Sequence, residues 1–140
     1  MLVVDEYLAV DVVRGAWPEG LPDDEVLGLT ASRHYRLLQR IHDPGSGQLS
    51  TILATLSEAG RETVRNPHPE VLHVLDPRPL LDEAAAIGAR YGTGGMLVTE
   101  TLAAGLAYGR ALYFGTEANV GVRLAEIAAD LGIAVHVVGV

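Results

Sequence analysis

Apolar positions along this chain fall into two kinds of run, and their alternation predicts the elements. Short, wholly apolar stretches rich in β-branched residues read as strands covered on both faces: Leu2-Val3-Val4, Val71 to Leu75, Ala111 to Phe114 and Ile133 to Val138. Between them lie stretches that read as helices: Tyr7 to Val13, apolar with Asp11 inside; Thr30 to Ile41 and Leu49 to Arg65, with apolar residues at amphipathic spacing; Pro79 to about Tyr91; the alanine-rich Thr99 to Tyr108; and Val122 to Leu131. In the second of these helices Tyr35, Leu37, Leu38 and Ile41 fall at core spacing, with Arg33, Arg36 and Arg40 on another face. In the third, Leu49, Ile52, Leu53 and Leu56 make the apolar stripe, and Ser50 is a candidate N-cap. Breakers separate the runs: Pro18 to Asp24, His42 to Gly47, Asn66-Pro67-His68-Pro69, and Gly92-Thr93-Gly94-Gly95, which reads as a hinge.

Apolar strands alternating with helices predict an α/β fold, a three-layer α/β/α sandwich around a short parallel sheet. A chain of 140 residues builds one compact core, so residues 1–140 are read as a single domain. There is no internal repeat.

Composition then narrows the chemistry. With no cysteine, disulfides, thiolate metal sites and cysteine nucleophiles are excluded, and any metal must be held by oxygen or imidazole. The net charge of -8 repels nucleic acid as a whole, so an RNA partner needs a local basic patch or a bridging cation. All ten basic residues are arginine. No apolar run approaches the ~20 residues that span a bilayer. The opening residues lack a basic region and carry Asp5, Glu6 and Asp11, so the expectation is a cytoplasmic protein without membrane contact.

In open parallel sheets, sites form beyond the carboxyl ends of the strands. Asp5 follows the first strand and Glu117 follows the strand ending at Phe114. Glu100 opens the alanine-rich helix, whose positive dipole end favours a carboxylate. Three acids meeting at one edge would repel unless a cation joined them, and Mg²⁺ or Mn²⁺ suits an all-oxygen site. Glu6 and Asp11 are expected at the surface and Glu58 as a solvated helix acid. His73 and His136 are read as core or edge residues, and Tyr7 and Trp17 as packing aromatics.

The order of these features resembles the PIN-domain family. The residues that carry the resemblance are Leu2-Val3-Val4-Asp5, Val71 to Asp76 with the helix through Ala84-Ala85-Ala86, Met96 to Ala104 around Glu100, and Ala111 to Asn119 around Glu117. It spans nearly the whole chain. The resemblance implies a divalent-metal-dependent ribonuclease, often the toxin of a toxin-antitoxin pair. Asp5, Glu100 and Glu117 would then be catalytic residues and ligands to Mg²⁺ or Mn²⁺, activating water and stabilising charge on phosphate. RNA and an antitoxin protein would be partners, with Arg33, Arg36 and Arg40 as RNA contacts and a homodimer as the expected assembly.

The chain also departs from the family. Glu stands at 100 and 117 where the family usually carries Asp, and Thr55 and Leu56 lie near the position where it expects a helix acid. A second reading is therefore a PIN-like module that has lost metal chemistry and works by dimerising or binding a protein partner.

Overall fold

The structure, a computed structural model, describes residues 1–139. In chain order the elements are β1 (Leu2–Val4), α1 (Glu6–Val13), β2 (Leu27–Leu29), α2 (Ala31–His42), α3 (Gln48–Ala54), α4 (Glu58–Arg65), β3 (Leu72–Val74), a 3-10 turn (Arg78–Leu80), α5 (Leu81–Tyr91), α6 (Met96–Ala107), β4 (Ala111–Phe114), α7 (Glu117–Val120), α8 (Val122–Leu131) and β5 (Ala134–Val137). All strand pairs are parallel, in the order β3-β2-β1-β4-β5.

Successive strand residues face opposite sides of the sheet, and β1 feeds two cores accordingly. Val4 joins Leu8, Leu27, Leu29, Leu37, Leu53 and Val64 beneath α1 to α4. Val3 joins Ile87, Leu102, Leu112, Phe114, Leu124 and Ile127 beneath α5, α6 and α8. The result is an α/β/α sandwich with an all-parallel sheet. No helix among the described residues is long and apolar enough to cross a membrane.

The structure departs from the sequence pattern in several places. The strand β2 has no counterpart in the apolar runs, because its three residues are centred on Gly28. A Cβ there would come within 2.7 Å of the Met1 sulfur, so the Met1 side chain packs on β2 in the space that the glycine leaves. The expected helix Leu49 to Arg65 is two helices: the chain turns after Ala54, and the Ser57 hydroxyl caps α4 by accepting the Gly60 amide at 3.1 Å. Ser50 lies inside α3 instead of capping it, its hydroxyl donating to the Pro44 carbonyl. Tyr35, expected in the core, is 65% exposed.

The glycine-rich connection lies at 92–95 as expected, but α6 starts at Met96, three residues before the expected Thr99. Gly92 adopts φ +68° to terminate α5, which glycine does without steric penalty.

Candidate functional site

From β1 the chain builds outward through β2 to β3, then returns to lay β4 on the other side of β1. The carboxyl ends of β1 and β4 are therefore the point where the winding reverses, the place where open parallel sheets form a crevice. Asp5 and Glu6 leave β1 there, Gly115 leaves β4, the first turns of α2 bring Ser32, Arg33 and Arg36, and α6 brings Glu100 and Thr101.

Asp5, Glu6, Arg33 and Glu100 are each no more than 1% exposed. One Asp5 oxygen accepts the Leu8 amide at 3.0 Å, which caps α1, and the Gly115 amide at 3.1 Å. The other accepts Asn119 Nδ2 at 2.8 Å. The Gly115 backbone comes this close because it has no side chain, for a Cβ would lie 2.7 Å from that of Tyr7. Burial nonetheless dominates and pushes the Asp5 carboxyl up to about 6, against the pull of these donors.

Glu6 is held differently. Its Oε1 accepts Arg33 Nη1 at 2.6 Å and its Oε2 accepts Arg36 Nη1 at 2.6 Å. Burial alone would raise this carboxyl, but the two guanidinium groups hold it below the ordinary range. Arg33 also donates Nε to Thr101 Oγ1 at 2.8 Å, and its guanidinium carbon lies 5.2 Å from the centre of the Phe114 ring, so the buried cation has several partners. Asn119 ties the set together, accepting from Arg36 at 2.9 Å while donating to Asp5.

Glu100 meets the start of α2. Its Oε1 accepts the Ser32 amide at 2.9 Å and the Ser32 hydroxyl at 3.0 Å, an anion at a helix N-terminus. Its Oε2 is buried without a hydrogen-bond partner.

Of the expected site residues, the structure brings Asp5 and Glu100 to one edge, Asp5 held by Leu8, Gly115 and Asn119 and Glu100 by Ser32. Glu117 is exposed at the start of α7 and lines a different groove with Val122 and Glu126. The arginines expected on one face as RNA contacts divide: Arg33 is buried, Arg36 is half-buried on Glu6, and Arg40 lines a different groove. Glu6, expected at the surface, is the most enclosed acid of all. A signal for both corrections was present, since Arg33 precedes Leu37 and Ile41 at the i, i+4 spacing of the core stripe, and Glu6 precedes the buried Val10 in the same way. Asn119 carried no such signal.

No family model, curated protein or solved structure matches this chain.

A divalent ion shared by Asp5, Glu100 and Glu117 does not fit the residues as arranged. The oxygens of Asp5 and Glu6 are occupied by N–H donors, Glu117 faces away, and the space between Asp5, Arg33, Thr101 and Phe114 is too small for a water molecule. Among the described residues no three His, Asp or Glu side chains are gathered for one ion. The edge already holds its cations, in the form of two arginines. Among the buried side-chain oxygens of the described residues, Glu100 Oε2 is the one with no hydrogen-bond donor at all.

Proposed function

We propose that this chain is a PIN-like α/β module that works by binding, with a homodimer as its working form, and that the acidic edge is a structural lock. One observation carries the non-catalytic part of the reading: the carboxyls at the end of β1 are already held, Asp5 by the Leu8 and Gly115 amides and Asn119, and Glu6 by two guanidinium groups at 2.6 Å, where metal chemistry would need open coordination positions.

The binding face lies on α5 and α6. Leu81 and Met96 are 46% and 49% exposed and wall an open groove of about 580 Å³ with Ala85 and Gly88. Along α5, Ala85, Ala86 and Ala89 are exposed small residues that permit close approach of another helix. The helix starts with Asp82 and Glu83 and ends with Arg90, so two copies of α5 packed antiparallel about a twofold axis bring acid against base at both ends.

Sedimentation velocity over a concentration series tests this reading. The expected result is a concentration-dependent dimer that Met96→Asp dissociates; a monomer at every concentration overturns it.

The metal-dependent ribonuclease remains a second reading, favoured by the unpartnered Glu100 Oε2. RNA cleavage that is abolished by chelator and by Asp5→Ala would establish it and remove the non-catalytic one.

A further inference from the structure

A second groove lies away from the acidic edge, between the end of α2, the loop at Pro44, α3 and α4. It encloses about 260 Å³ and is lined by Arg40, Arg61 and Arg65, with Glu58 the acid among them and Ile41 and Leu53 as apolar wall. Three guanidinium groups, against Glu58 in the lining and Glu62 beside Arg65 at 3.4 Å, leave one positive charge in excess on a chain of net charge -8.

These two acids do not saturate them. Glu58 stands 3.7 Å from Arg61 and 3.3 Å from Arg65, longer than a good charge-assisted hydrogen bond, and its side chain is largely exposed. Arg40 has no carboxylate within 4.0 Å among the described residues. Its guanidinium sits over the loop, since a Cβ on Gly45 would lie 3.4 Å from Nη1. Such a set of planar forks suits an anion with several equivalent oxygens.

We propose that this groove binds the phosphate group of a small organic phosphomonoester, of mononucleotide size. Phosphate matches the arginine forks bidentately, while Ile41 and Leu53 give the organic part an apolar surface. The size of the groove and the charge of the chain both select a small ligand over a polymer. A single phosphoester lies wholly within the local positive field, whereas RNA extends into the negative field of the rest of the surface.

Isothermal titration calorimetry at low salt tests the site, with adenosine monophosphate, inorganic phosphate, adenosine and a ten-nucleotide RNA as probes. Saturable binding of adenosine monophosphate is expected, displaced by inorganic phosphate, with none for adenosine. Arg40→Ala and Arg61→Ala should each weaken it about tenfold, as loss of one charge-assisted contact does. Both side chains are half-buried, and unchanged melting of either variant shows that the fold is intact. Absence of saturable binding by either phosphate probe, equal binding in the arginine variants, or RNA binding more tightly than the mononucleotide overturns the proposal. The dimer reading is unaffected by any of these outcomes, because the groove shares no residue with α5 or α6.

Discussion

Arg33 and Glu6 meet at 2.6 Å with 2% and 0% of their side chains exposed, so the best-buried ion pair of the fold joins the helix after β2 to the helix after β1. Pairs of this kind add little net stability over an apolar pair, but they are costly to break from one side.

Glu6→Gln should therefore destabilise the fold by about 3–5 kcal/mol, because it leaves the Arg33 guanidinium buried without a counter-charge. Adding Arg33→Met to Glu6→Gln should recover part of that loss. Urea unfolding of the two single variants and the double measures the coupling, and simple additivity would show that the pair does not act as described.

The Asp5 carboxyl makes stability depend on pH with a defined sign. It ionises at 3.8 when unfolded and at about 6 when folded. Between these values the folded state keeps a proton that the unfolded state has lost, so stability falls as pH rises through this window, by about 3 kcal/mol in all. Glu6 has the opposite sign: its lowered value gives stability that is present above 4.5 and lost on the acid side. Asp5→Asn should flatten the fall between pH 4 and pH 6 seen in urea midpoints; an unchanged slope would assign it to other groups.

Gly115→Ala should destabilise by about 1–3 kcal/mol, since its Cβ meets that of Tyr7, an atom fixed to the α1 backbone and unable to move aside. The same shift pulls the Gly115 amide from Asp5. Thermal melting should show the loss, and an unaltered transition would mean that β4 and α1 approach less closely than 2.7 Å implies.

Divalent metal should leave melting unchanged if the acidic edge is a lock. An ion that binds only the folded state at one hundred times its dissociation constant would add about 2.7 kcal/mol. A melt with and without Mn²⁺ in wild type and Glu100→Gln is therefore sensitive. A rise confined to wild type would give Glu100 Oε2 a ligand and revive the nuclease.

Much of the architecture was legible in the sequence because the two hydrophobic periods are unambiguous where elements are long or β-branched. Leu2-Val3-Val4, Ala111 to Phe114 and Val122 to Leu131 all form the expected elements. Leu27-Gly28-Leu29 was not legible, since three residues with a central glycine carry no period and owe their strand geometry to pairing with β1 and β3. The break between α3 and α4 hid for a related reason: the capping Ser57 lies inside a stretch whose apolar stripe continues through Leu56.

At the edge of the sheet, the position of Asp5 could be read from strand polarity, and that of Glu100 from its helix. What could not be read was the partner of each acid. A charged residue on an apolar stripe is a weak signal by itself. Arg33 and Glu6 become intelligible only as a pair separated by 27 residues.

Because Glu6 serves two arginines and Asn119 serves both Asp5 and Arg36, the side chains of this network depend on one another. Sequence drift here is consequently constrained to move in concert: a lone exchange strands a neighbour, whereas compensated exchanges pass. Variants selected from a randomised library should accordingly change these positions in sets, while the exposed residues of α4 vary one by one.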